Sequence, residues 1–296
     1  MRILITGVTG FVGASLLEHL AAGGHELYGL ARSTPTEPRP GSVTFLVGDV
    51  TKPESLQVIP GKLDLLIHCA ALLGRWGRSW DDYYNTNVIG TRNIAELCRE
   101  KGIKNLLHVS SGGAHSKVTK YEQSKYLAER ILDSYVDSVR VVTVRPEFLY
   151  GPRDMHVKKL FDAINRNRFV LINHGNSIIR PTFISDFSQH VVYLVGTLPE
   201  IPSGTTYTLA GSQMTWKDFA RIVCKHYGVQ SRFPEVPVTI MRFCARANEL
   251  LSHLIGFPML LNRDQVYFFS TDHPIDEENT TLLACATPLE EGLRYL

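Results

Sequence analysis

Arg2-Ile3-Leu4-Ile5-Thr6-Gly7-Val8-Thr9-Gly10-Phe11-Val12-Gly13 decides the fold. Its first five residues form a short apolar run with β-branched members, as a buried parallel strand requires. From Phe11 onward Phe11, Val12, Leu16, Leu17 and Leu20 recur at helical spacing. Gly7, Gly10 and Gly13 therefore stand between a strand and a helix. A tight turn there lets the backbone approach a pyrophosphate, and the helix N-terminus faces its charge. Thr9, Phe11 and Val12 complete that cradle.

Strand-like runs at Glu26–Ala31, Val43–Gly48, Leu65–Ala70, Asn105–Ser110 and Val139–Arg145 alternate with amphipathic segments. The alternation predicts an α/β fold, a Rossmann-type doubly wound parallel sheet that binds ligand at the carboxyl ends of its strands. Past Gly151 the pattern becomes irregular, with short strands at Val170–Ile172, Pro181–Ile184 and Thr206–Leu209. The division expected is 1–150 for the nucleotide-binding domain, with short returning segments near 181–210, and 151–296 for a smaller, mainly substrate-binding C-terminal lobe.

The net charge of +2 gives no electrostatic reason to expect nucleic acid or an anionic membrane. Five cysteines, Cys69, Cys98, Cys224, Cys244 and Cys285, show no metal-ligand spacing and read as reduced cytoplasmic thiols. No metal is expected. Glycines interrupt the N-terminal stretch where a signal peptide needs an unbroken apolar core. The apolar stretch Val238 to Leu261 carries Arg242, Arg246 and Glu249, too many charges for a membrane span. It reads as a helix packed on the lobe's core, or as an amphipathic lid over an apolar substrate.

Tyr121-Glu122-Gln123-Ser124-Lys125 adds chemistry. A free tyrosine has a pKa near 10, so it is a poor base at neutral pH. A lysine four residues later on a helix shares its face, close enough to favour the phenolate and lower that pKa.

With these two motifs the chain resembles the extended branch of the short-chain dehydrogenase/reductase superfamily. That branch includes sugar-nucleotide epimerases, plant flavonoid reductases and 3β-hydroxysteroid dehydrogenases. The likeness runs nearly end to end, through His68-Cys69-Ala70-Ala71, Asn87-Val88-Ile89-Gly90-Thr91, His108-Val109-Ser110-Ser111, Arg145-Pro146-Glu147-Phe148-Leu149-Tyr150-Gly151-Pro152 and the tail Thr287-Pro288-Leu289-Glu290-Glu291-Gly292-Leu293. The resemblance implies Tyr121 as general acid/base and Lys125 as its electrostatic partner and ligand of the nicotinamide ribose. It implies Ser111, with Ser110 as the fallback, as the orienting hydroxyl, and Asn87 as support for a proton relay to Lys125. Asp49 and Val50 map to the adenine site, and Ala70, Ala71, Pro146 and Phe148 to the lining of the cofactor. A homodimer is compatible with the same resemblance.

An acidic residue about twenty positions past the glycines would favour NAD. Here the second strand ends Leu30-Ala31-Arg32-Ser33, and Arg32 suits the 2′-phosphate of NADP through charge-assisted bonds, unless it is a solvated surface side chain. NADP is the expected cofactor, with NAD as the alternative. One departure concerns the segment between Ser111 and Tyr121. It is short, Gly112-Gly113-Ala114-His115-Ser116-Lys117 reads as flexible, and Gly112-Gly113 replaces the acidic pair of the family's dehydratases.

Ala70-Ala71-Leu72-Leu73-Gly74-Arg75-Trp76-Gly77 resembles the 3β-hydroxysteroid dehydrogenase-like branch and points to an apolar substrate. Trp76 and Trp80 are read either as walls of a substrate pocket or as core. Arg180 sits where sugar-nucleotide epimerases hold a substrate pyrophosphate, and equally suits an ion pair with Asp186 or Asp154. The reading reached is an NADP-dependent oxidoreductase interconverting a secondary alcohol and a ketone on a small-molecule substrate. The alternatives are an NDP-sugar epimerase with tightly held NAD and a non-catalytic NAD(P)-sensing scaffold.

Overall fold

The computed structural model describes residues 1–35, 43–73, 78–230, 232–255 and 261–296. Trp76, expected at the substrate, lies outside the described residues. The chain divides into two compact units: Met1–Glu147 with Ile184–Ala210 and Ile275–Ala284, and Phe148–Phe183 with Gly211–Pro274 and Cys285–Leu296.

The first unit is built on one parallel sheet of eight strands: β1 (Arg2–Thr6), β2 (Glu26–Ala31), β3 (Val43–Val47), β4 (Leu65–His68), β5 (Asn105–Val109), β6 (Arg140–Pro146), β7 (Thr205–Ala210) and β8 (Thr281–Ala284). Their order across the sheet is β8-β7-β6-β5-β4-β1-β2-β3. The chain leaves β1 toward β2 and β3, then crosses to β4 on the opposite side. The strand order reverses between β1 and β4, and at such a switch point doubly wound sheets take their ligands, at the carboxyl ends of the strands. Ile3, Leu4 and Ile5 of β1 and Leu65, Leu66 and Ile67 of β4 are fully buried, because helices cover both faces of a parallel sheet.

Helices α1 (Phe11–Ala21), α2 (Gly90–Lys101), α3 (Lys120–Leu132) and α4 (Ile184–Thr197) belong to this unit. α1 turns Leu16, Leu17 and Leu20 inward at helical spacing. α2 ends at Gly102 in the left-handed conformation, after Arg99 and Lys101 in its last turn. β8 pairs with β7 from Tyr207↔Thr281 to Ala210↔Ala284, a strand the sequence pattern does not announce.

The second unit carries α5 (Trp216–Tyr227), α6 (Val238–Ile255) and α7 (Arg263–Ser270), the helix Met155–Asn165 and three short strand pairs. Its centre is aromatic. Trp216, 1% exposed, has the rings of Phe148, Phe169, Phe219, Phe268 and Phe269 around it, with centroids 4.6 to 6.3 Å away.

Candidate active site

Gly7 follows β1 with φ of 66°, a left-handed conformation that favours glycine. A Cβ there would stand 2.7 Å from the Ala70 backbone nitrogen, so the turn after β1 is pressed against the segment after β4. A Cβ on Gly13 would meet the Gly7 carbonyl oxygen at 2.3 Å, and its absence lets α1 seat directly on the turn. The Gly7 carbonyl accepts from the Gly10 N–H at 2.9 Å. α1 begins at Gly10 with no side chain capping it, and Thr9 and Gly10 are exposed. Uncapped first-turn N–H groups on an exposed, glycine-lined turn fit the pyrophosphate of a dinucleotide.

The other expected nucleotide contacts of this unit lie at the same edge. Arg32, exposed, follows β2. Asp49 follows β3, its Oδ1 accepting from the Thr51 N–H and hydroxyl at 2.9 Å each, beside buried Val50. Half-buried Ala70 and Ala71 follow β4, and Pro146 ends β6. Phe148 and Arg180 belong to the second unit. The Phe148 ring is in the aromatic cluster, 5.7 Å from Trp216, and the Arg180 guanidinium donates to the His273 carbonyl at 2.7 Å and to Gln213 Oε1 at 2.8 Å.

α3 positions the tyrosine and lysine. Thr119 caps it, accepting from the Glu122 N–H at 3.2 Å, while the Glu122 carboxylate accepts from the Val118 and Thr119 N–H groups. Tyr121 stands on the first turn, and the Ser111 side chain lies close enough to its phenol to act on its pKa. Ser110 faces the other way and donates to Glu129. Successive residues at a strand's end point to opposite sides, so only one of the two serines reaches the phenol.

Burial pushes the Tyr121 phenol up to about 12; Ser111 opposes the rise, and Glu122 and Tyr83 add to it. The expectation of a lowered tyrosine pKa is corrected here. Lys125 does not aim at the phenol; its ammonium is 1% exposed, donates to the Val109 carbonyl at 2.8 Å and lies 3.4 Å from His108 Nε2. Burial brings Lys125 down to about 8, against Glu129 and Cys69, which hold it up. The Tyr121 phenol therefore keeps its proton at neutral pH.

Asn87 is also differently placed from the expected relay to Lys125. It lies 1% exposed in a π-helical turn, Tyr84–Ile89, a form that often marks functional positions. Its amide accepts from the Leu72 N–H at 2.6 Å, donates to the Leu72 carbonyl at 3.0 Å, and donates to Ser124 Oγ at 2.8 Å. Ser124 donates in turn to the Tyr121 carbonyl at 2.6 Å. Asn87 thus fixes the backbone of the tyrosine.

Beneath the site runs a buried polar row that motif reading missed. Register sets Thr6 beside His68 and His68 beside His108. The two imidazoles lie 5.5 Å apart at 30°. Thr91 donates to the Asn87 carbonyl at 2.6 Å, so it accepts from His68 Nε2 at 3.1 Å. The neutral ring then accepts at Nδ1 from Thr6 Oγ1, 2.7 Å away, which itself accepts from the Ala70 N–H. Burial, with Lys125 nearby, holds His68 neutral at about 3 and His108 well below its ordinary value. The available signal was a histidine ending an otherwise apolar strand, as in Leu65-Leu66-Ile67-His68.

The segment after Ser111 is a 3-10 turn, Gly112–His115, with Gly112 and Ala114 buried, and it replaces the flexible loop expected. The Glu147 carboxylate occupies the space a Cβ on Gly112 would need, 2.0 Å from that position. Glu129 is buried and bidentate with Arg145 (2.7 and 3.0 Å), which also reaches Asp276 at 3.0 Å.

The model of the NAD dependent epimerase/dehydratase family matches residues 3–210. The 2-alkyl-3-oxoalkanoate reductase of Stenotrophomonas maltophilia is 30% identical over 207 residues, covering 63% of this chain and 62% of that protein. The chain thus spans less than two thirds of that relative's length. The 3 beta-hydroxysteroid dehydrogenase/Delta 5→4-isomerase of Mycobacterium tuberculosis is 24% identical over 291 residues, covering 87% of this chain and 78% of its own. Among solved structures, that of gox2253 superposes with a TM-score of 0.77 at 21% identity, over 99% of this chain and 97% of that one, a likeness of fold.

Proposed function

The chain belongs to the NAD-dependent epimerase/dehydratase family, within the extended short-chain dehydrogenases/reductases, and on that premise we propose an NADP-dependent oxidoreductase that interconverts a secondary alcohol and a ketone. The carrying observation is a Tyr121 phenol that stays protonated, with the Ser111 side chain close enough to act on it. A bound nicotinamide supplies or takes the hydride. Tyr121 gives its proton to the carbonyl oxygen as negative charge develops there, and in the reverse direction receives it. Ser111 orients the phenol and adds a second donor at the same oxygen. Lys125 places a positive charge beneath the site, and Asn87 with Ser124 holds the α3 turn that carries Tyr121.

Arg32 supports NADP, since a guanidinium matches a phosphate and a carboxylate would repel it. The names of the two curated relatives, an oxoalkanoate reductase and a hydroxysteroid dehydrogenase, support an apolar substrate. Gly112 packed on Glu147 leaves no acidic pair next to Ser111 and argues against water elimination. The free thiols of Cys69, Cys98, Cys224 and Cys244 suit the reducing cytoplasm.

Incubating the chain with NADPH and a panel of 3-oxoalkanoates, cyclic ketones and sugar nucleotides tests the reading. Stoichiometric NADPH oxidation with an alcohol product is expected. Sugar nucleotides epimerised with no net cofactor consumption would establish the epimerase instead. Cofactor bound with neither reaction would favour the sensing scaffold.

A further inference from the structure

α6 in the second unit has one side in contact with protein. Ala245 is fully buried, and Val238 and Met241 pack on a cluster that includes Ile172 and Val266. Elsewhere the described residues leave the helix open. With each residue turning about 100°, Ile240, Phe243, Leu250, Leu251, Leu254 and Ile255 fall within one arc of about 140°. All six are exposed, Phe243 to 73%, Leu254 to 70% and Ile255 to 71%. An apolar face of this extent marks an interaction surface rather than scattered surface residues.

The charges beside it indicate what it meets. Exposed Arg242 and Arg246 run along one border of the arc. The only acid of the helix, Glu249, is taken up by Arg263, which donates to it from Nε at 2.8 Å and from its backbone N–H at 3.0 Å. The segment leading into the helix, Arg232 to Glu235, lines a cavity of about 440 Å³ together with Lys217 and Arg221. Glu235 pairs with Lys217 and Asp218 with Arg221, while Arg232 adds a cation near the helix start. An apolar stripe edged by arginines, with its acid neutralised, complements a hydrocarbon surface bordered by anionic headgroups.

We propose that α6 is an interfacial helix that docks the protein on an anionic lipid bilayer. The apolar arc sinks to the acyl boundary, and Arg242 and Arg246 stay at the phosphates. Among the described residues no helix is long and apolar enough to cross a membrane. This inference is independent of the reaction assigned above.

Sedimentation of the full chain with vesicles decides it. Binding is expected on mixed phosphatidylglycerol and phosphatidylcholine vesicles, weakening as salt is raised. Arg242→Gln with Arg246→Gln should lower that binding about 10–30-fold and leave binding to pure phosphatidylcholine unchanged. Phe243→Gln with Leu254→Gln should abolish binding to both, with the melting temperature as the control for folding. Should that pair fail to fold, the arginine pair carries the test. Absence of sedimentation with anionic vesicles overturns the proposal. So does a dimer in analytical ultracentrifugation that Phe243→Gln dissociates, because a second copy would then cover the arc.

Discussion

Replacing Lys125 with methionine should change the pH dependence of stability in a calculable way. In the unfolded chain the lysine keeps its proton to about 10.5, and in the folded one only to about 8. Below pH 8 both states are charged, and the folded state bears the full cost of a buried ammonium. Between pH 8 and 10.5 the unfolded chain holds more protons, so unfolding free energy rises with pH. The shift from 10.5 to about 8 corresponds to about 3 kcal/mol at roughly 1.4 kcal/mol per pH unit. Lys125→Met has no proton to lose. It also forfeits the bond to the Val109 carbonyl, which lowers its stability at every pH. The stability of the variant relative to wild type should therefore fall by about 3 kcal/mol between pH 7 and pH 10.5, roughly 5 °C in melting temperature for this length. Urea unfolding of both proteins at the two pH values measures it. The same difference at both would refute the depressed lysine.

Tyr121→Phe should reduce turnover about 10²–10⁴-fold with nucleotide affinity unchanged, measured by steady-state kinetics and NADPH titration. Ser111→Ala should slow turnover in the same assay, whereas Ser110→Ala, which touches Glu129 and not the phenol, should act on melting temperature first. Arg32→Asp should weaken NADPH about 10–100-fold and spare NADH, the loss of a charge-assisted phosphate bond; equal wild-type affinities for the two nucleotides would remove Arg32 from cofactor choice. Glu129→Gln leaves Arg145 without its bidentate partner and should cost about 3–5 kcal/mol in urea unfolding, with an unchanged stability showing the pair to be dispensable.

The strand, turn and helix from Arg2 to Leu20 were legible because burial on both faces writes an unbroken apolar run and the turn requires glycine. The serine question was not legible: adjacent residues at a strand end differ only in the face they turn to, and that depends on the packing of α3. Helical spacing put Tyr121 and Lys125 on one side, yet spacing does not tell where a long side chain ends. Lys125 turns down to the Val109 carbonyl and leaves the phenol to Ser111 and to burial. β8 was not legible because its four residues at the sheet edge stay largely exposed and so carry no buried apolar pattern. Phe148, read as a cofactor lining, has its ring in an aromatic cluster assembled from Trp216, Phe219 and Phe268, distant in sequence.

The ion cluster at Arg145 bears on how the chain is assembled during synthesis. Glu129 and Arg145 leave the ribosome close together, whereas Asp276 comes 131 residues after Arg145. Ile275–Ala284 brings both that carboxylate and the edge strand β8 to the first unit. Until it arrives, β7 has an open edge and Arg145 has one guanidinium nitrogen still to be matched. The nascent first unit therefore exposes an unpaired strand while the whole of Gly211–Pro274 is translated. Over that interval a chaperone that shields strand edges would have most to protect.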